Sequence, residues 1–150
     1  MRMKPILNVL GALLTLLGIT MIVPILISYF SAGSDLIGLF KSSILCIFIG
    51  FPLWLFTKHK KSLNNKIGFA IVTLSWVTAA FAGSLPFYLT GAIPNFTDAF
   101  FEAMSGVTTT GATVLGNPVT LTNLPNGIES LPKGVLFWSC LLYTSDAADE

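Results

Sequence analysis

Charged side chains are scarce in this sequence. They make up 10% of its 150 residues, against about a quarter in a soluble domain, while 53% of the chain is hydrophobic. With a mean hydropathy of +0.80, that scarcity excludes an ordinary soluble fold and points to an integral membrane protein. Histidine occurs once, as His59 among lysines, where a solvated loop residue is the expected role. Cysteine occurs twice. Cys46 and Cys140 both lie in apolar runs, so they read as small buried hydrophobes and not as a disulfide framework or metal site. No P-loop, dinucleotide fingerprint or Cys/His ligand spacing is present, and Ser105 in "AMSGV" lacks the G-x-S-x-G nucleophile elbow. These absences speak against an enzyme, a resident cofactor and a nucleic-acid partner. The net charge of +1 conceals an asymmetry. Three of the seven acids, Asp146, Asp149 and Glu150, crowd the last five residues, and elsewhere basic residues outnumber acids two to one.

What the chain does contain is long uncharged runs. Ile6 to Phe30 carries no charge and exceeds the roughly 20 residues a helix needs to cross a bilayer. Arg2 and Lys4 ahead of it would suit a signal peptide, but the apolar part is longer than the usual h-region of about 7–15 residues. Pro24 is expected to kink this helix. The second run, Ser42 to Phe56, reaches spanning length when extended back through "DLIGLF", and the third covers Ile67 to Gly91. Within it Ala79 and Gly83 form a small-xxx-small pair able to admit a close neighbour. Basic residues in short loops set orientation. Arg2 and Lys4 precede the first run, Lys58, Lys60, Lys61 and Lys66 lie between the second and third, and the turn around Asp35 has only that acid and Lys41. Three spans place both basic clusters, and the N-terminus, in the cytoplasm.

After Pro94 comes "NFTDAFFEAMSG". Asn95 or Thr97 can cap a helix, and Asp98 and Glu102 suit its positive amino end or attract cations. The helical stretch Asp98 to Ser105 is too short to span, yet Phe100, Phe101 and Met104 cover it with apolar surface. It reads either as an amphipathic surface helix or as a pore helix that stops near mid-depth. The next residues, "GVTTTGATVL" (Gly106 to Leu115), carry no charge and suit neither helix nor strand. Irregular backbone survives inside a membrane only when buried in protein or lining a water-filled cavity, and a cation pathway offers both. Its carbonyl oxygens can replace an ion's hydration shell, with Gly111 allowing the backbone angles this needs. An ordinary Thr-rich surface loop is the competing reading, as is a membrane anchor that presents the outer segment Asn95 to Lys133 as a ligand loop without transport.

"FTDAFFEAMSGVTTTGATVL" (Phe96 to Leu115), with "SLPFYLTG" (Ser84 to Gly91) and "LPKGVLFW" (Leu131 to Trp138), closely resembles the first pore segment of the Trk/Ktr potassium-uptake superfamily, in its TrkH-like membrane subunit. The resemblance covers roughly Met1 to Trp138. It implies an all-α membrane protein of potassium-channel-like fold, with two N-terminal helices and four repeats of helix, pore loop and helix around one potassium pathway. It divides this chain into a two-helix membrane segment (1–62), the first pore repeat (63–138) and a tail (139–150) that is truncated or foreign to the family. Thr109 to Gly111 stands where a potassium channel has Thr-Val-Gly. The implied ligands are the main-chain carbonyls of Thr109, Thr110 and Gly111, with Thr108 and Ala112 at the margins. Potassium is the transported substrate, and the implied partners are a TrkA-like cytoplasmic nucleotide-binding subunit and a second copy of the parent in the inner membrane. The apolar stretch Gly134 to Tyr143 is too short to span and acids follow, so the polypeptide is expected to be a fragment. One loop cannot encircle an ion, which ties the function to the full-length parent.

Overall fold

Uncharged apolar runs can satisfy their backbone polar groups within a bilayer only as helices or closed barrels, and every regular element among the described residues is helical. A computed structural model describes residues 3–57, 65–115 and 131–143. Its helices are α1 (Lys4–Thr20), α2 (Ile22–Phe30), α3 (Leu36–Phe56), α4 (Asn65–Leu89), α5 (Phe96–Val107) and α6 (Lys133–Tyr143). Three segments are long and apolar enough to cross a membrane: Lys4–Phe30, Leu36–Phe56 and Asn65–Leu89. The basic cluster Lys58 to Lys61, the connector 116–130 and the end of the tail lie outside the described residues, as does the 62/63 boundary. Helix α6 runs through the expected boundary at Trp138 without a break.

Pro24 acts upstream of itself. It has no N–H for the Thr20 carbonyl, and its ring crowds that carbonyl, so the first run is interrupted at Met21. Met21 N–H still reaches the Leu17 carbonyl at 3.2 Å, and Ile25 N–H reaches Met21 at 3.2 Å. The interruption therefore leaves a single span.

Helices α1 and α3 make the most extensive contact in the fold, along a seam the sequence did not advertise. Gly11 and Gly18 on α1 meet Gly50 and Ser43 on α3, both pairs seven residues apart. A Cβ at Gly11 would stand 2.6 Å from the Trp54 nitrogen, and one at Gly50 would stand 2.7 Å from the Thr15 nitrogen. Ser43 donates its hydroxyl across the seam to the Gly18 carbonyl at 2.7 Å, and the Asn8 amide donates to the Trp54 carbonyl at 2.7 Å. In lipid, small residues of this kind let backbones approach where no hydrophobic force draws helices together.

The turn between α2 and α3 holds Asp35, which is buried and not an open loop acid. Its carboxylate accepts the Ser28 hydroxyl and, at 2.9 Å, the backbone N–H of Val135 in the first turn of α6. A carboxylate there satisfies a donor that the helix leaves unpaired and faces the positive dipole end. Gly134 makes room for it, since a Cβ at that position would lie 2.6 Å from Asp35 Oδ2. Removing the carboxylate leaves two buried donors unpaired at about 1–3 kcal/mol each. Asp35→Ala is therefore expected to destabilise the full-length parent by about 3 kcal/mol and Asp35→Asn by less, measured as thermal unfolding in detergent.

Helix α6 is pinned at its middle by Trp138, whose indole N–H donates to the Gly83 carbonyl of α4 at 2.9 Å. The Ala79/Gly83 pair does admit a close neighbour: both residues are buried, and Ala103 of α5 lies 3.4 Å from where a Gly83 Cβ would be.

Candidate functional site: a half-length helix and the loop that leaves it

Helix α5 begins two residues earlier than the sequence implied and ends two later. Asn95 is its cap, its side-chain oxygen accepting the Thr97 N–H at 3.1 Å, so Thr97 is inside the helix. Asp98, half-buried in the first turn, favours the positive end. At 1.5 Å per residue its 12 residues reach about 18 Å, well short of a hydrocarbon core of about 30 Å. Ala99, Glu102, Ala103 and Gly106 are buried at the spacing of one helical stripe, with Ser105 buried beside them. Small residues there let α5 lie close against α4. Phe96 anchors the amino end, its ring 5.7 Å from Phe81 and 5.6 Å from Tyr88.

The helix stops by a Schellman motif. Thr110 N–H donates to the Ser105 carbonyl at 3.0 Å and Thr109 N–H to Gly106 at 3.2 Å, the paired bonds that close a helix through one left-handed residue. That residue is Thr109, with φ +54°. A β-branched side chain in this region is strained by about 1–3 kcal/mol. Helix α4 ends through glycine instead, Gly91 at φ +75°. Gly111 is left-handed as well, at φ +74°, while Thr110 between them is not. The Thr108 hydroxyl, at the half-buried helix end, donates to Met104 at 2.7 Å and lies 2.8 Å from the Thr110 hydroxyl. Thr109, Thr110, Gly111, Ala112 and Thr113 are exposed.

Beneath this loop lies Glu102, with no exposed surface. It is the seventh residue of α5, too far along to serve the amino end. Its two carboxylate oxygens sit 3.0 and 3.1 Å from the donating Thr113 hydroxyl, and one accepts the Val114 N–H at 2.8 Å. The Tyr143 hydroxyl of α6 lies 3.0 Å from Glu102 and 3.1 Å from the Ala112 carbonyl, so its single proton serves one or the other. Thr113 falls outside the 108–112 window read from sequence, yet it carries the side-chain contact. The clue was available: an acid on the same stripe as Ala99, Ala103 and Gly106, in a membrane chain, calls for a buried partner. Among the described residues no three His, Cys, Asp or Glu side chains converge, and the oxygens at the loop surface are threonine hydroxyls and peptide carbonyls.

The family model for TrkH, described as a cation transport protein, matches residues 38–133. The chain belongs to the TrkH family. That is a family of cation transport proteins and not of enzymes. The TrkH Trk system potassium uptake protein of Vibrio parahaemolyticus is 36% identical over 141 residues, covering 92% of this chain and 27% of the relative. The TrkH of Halomonas elongata is 38% identical over 144 residues, with 92% and 27% covered. The crystal structure of the potassium transporter TrkH from Vibrio parahaemolyticus superposes with a TM-score of 0.80 at 34% identity, over 95% of this chain and 29% of that one. The fold is thus the all-helical membrane architecture of TrkH, and this chain spans about a quarter of the length of the curated relatives it matches.

Proposed function

We propose that this segment supplies one of four loops lining a potassium pathway in a Trk-type uptake protein of the inner membrane, with the N-terminus in the cytoplasm. The carrying observation is the alternation of backbone handedness at Thr109 and Gly111, on an exposed loop that leaves a half-length helix. In an ordinary strand successive carbonyls point to opposite sides. Left-handed residues at alternate positions can turn every second peptide over, so this pattern suits a row of carbonyls from Thr109, Thr110 and Gly111 on one side. Such a row of dipoles can replace water around a monovalent cation without paired charge, and the negative end of the α5 dipole favours the same ion. Ala112 stands at the margin, since its carbonyl lies within reach of Tyr143.

A chain covering 27% of its relatives fits the N-terminal helix pair plus one repeat of four. The parent then works as a homodimer with a TrkA-like cytoplasmic nucleotide-binding subunit, as the family resemblance implies. The full-length parent gene, placed in a bacterium lacking potassium uptake, is expected to restore growth at limiting potassium. A parent that reaches the membrane and gives no rescue overturns the reading and favours an anchor that presents residues 95–133 to a ligand.

A further inference from the structure

The loop is fastened to its own pore helix at both ends. On the incoming side Thr109 and Thr110 donate to the carbonyls of Gly106 and Ser105. On the outgoing side Thr113 and Val114 donate to Glu102. Gly111 and Ala112 are the two residues between these fastenings, and Gly111 is the loop residue whose backbone is freest to rotate. The outgoing fastening is a carboxylate with no exposed surface, which is costly inside a membrane protein. A neutral side chain could fill the same space, so shape alone does not account for an acid there. What the acid adds is charge-assisted hydrogen bonds, about twice as strong as neutral ones. Its two oxygens hold a side-chain hydroxyl and a backbone N–H of adjacent residues at once. Leu115 N–H closes onto the Thr113 hydroxyl oxygen at 3.1 Å, which extends the hold to a third residue.

We infer that Glu102 is a positioning residue that holds the outgoing limb of the loop at a fixed separation from α5, and that this fixed limb is what lets the pathway favour potassium over the smaller sodium ion. The inference rests on the potassium-pathway reading above. With the outgoing limb held at one separation, the stretch Thr109 to Ala112 strung between the two fastenings cannot draw its carbonyls inward around a smaller ion, whereas a slack limb lets it. Glu102 touches no ion. It acts through Thr113 and Val114, and its loss changes discrimination before it changes the existence of the path.

The test uses the full-length parent in membranes and measures the half-saturating potassium concentration for uptake together with the sodium concentration that competes with it. Glu102→Ala, which removes both hydrogen bonds to the limb, should lower the preference for potassium over sodium by about tenfold, and Glu102→Gln, which keeps their shape without the charge, by about threefold. Thr113→Val, a change on an exposed side chain, should shift the preference the same way at normal abundance, and Thr113→Ser should rescue it. If the Glu102 variants fail to reach the membrane, the Thr113 pair decides. An unaltered potassium preference in Thr113→Val, or in a Glu102→Ala protein of normal abundance, overturns the inference while leaving the pathway reading in place. A wild-type parent that takes up no potassium removes the pathway reading itself.

Discussion

Gly111→Asp in the full-length parent is expected to abolish potassium-dependent growth rescue while leaving the protein in the membrane. Two effects combine, and their sizes differ. The left-handed backbone at Gly111, φ +74°, costs a residue with a side chain about 1–2 kcal/mol, or about tenfold in any equilibrium that needs it. Gly111→Ala, which carries only this term, should therefore reduce uptake by about tenfold. An aspartate adds a charged group beside the carbonyls and pulls a cation out of line. Its loss should approach the hundredfold or more seen when one preorganised dipole is removed from a site built of them. The uptake rate at limiting potassium, normalised to membrane abundance, separates the two variants. Undiminished uptake by the Gly111→Asp protein counts heavily against these carbonyls as ion ligands.

The second large effect belongs to the seam between α1 and α3. Gly50→Leu should prevent stable folding of the N-terminal helix pair, because backbone surrounds the position: the Thr15 nitrogen at 2.7 Å and the Gly11 carbonyl oxygen at 2.8 Å. Overpacking a well-filled site costs about 1–3 kcal/mol when side chains can yield; here the obstruction is main chain, and the helices must separate. Gly50→Ala should already lower thermal stability, since the first carbon alone collides. Ser43→Ala at the same seam removes only an interhelical hydrogen bond, worth about 0.6 kcal/mol in comparable membrane helices. A detergent melt ranking Ser43→Ala below Gly50→Leu in stability would show that the hydrogen bond, and not the close approach, holds the pair.

Much of the architecture was legible because hydrophobic length is a local property. The three spans came out within two residues of their observed starts, apart from the deeper reach of α3 that "DLIGLF" already supplied, and the half-length helix capped by Asn95 or Thr97 was visible in "NFTDAFFEAMSG", with the structure selecting Asn95. What was illegible depends on residues far apart in the chain. The Gly11/Gly50 and Gly18/Ser43 pairs show as a seam only once α1 and α3 lie antiparallel, and the one small-residue pair noticed, Ala79 and Gly83, lay on α4. Glu102 looked like a dipole partner because it follows a helix start. Its actual partners, Thr113 and Val114, become neighbours only after the loop folds back. Conformational freedom was assigned to Gly111 by residue type, which was sound. The same criterion passes over Thr109, because a strained threonine announces itself through hydrogen bonds and not through identity.

Asp35 has a consequence for how the protein is made. Its α6 partner, Val135, lies 100 residues further along the chain. At a synthesis rate of about 5–20 residues per second, the ribosome delivers that partner roughly 5–20 s after the acid emerges. Throughout that interval the carboxylate has the Ser28 hydroxyl of its own hairpin as a partner but not the α6 backbone, so the early hairpin should keep that end in contact with water. Arrival of α6 then supplies the second partner, and a single carboxylate serves as the latch between the first helical hairpin and a helix made 100 residues later.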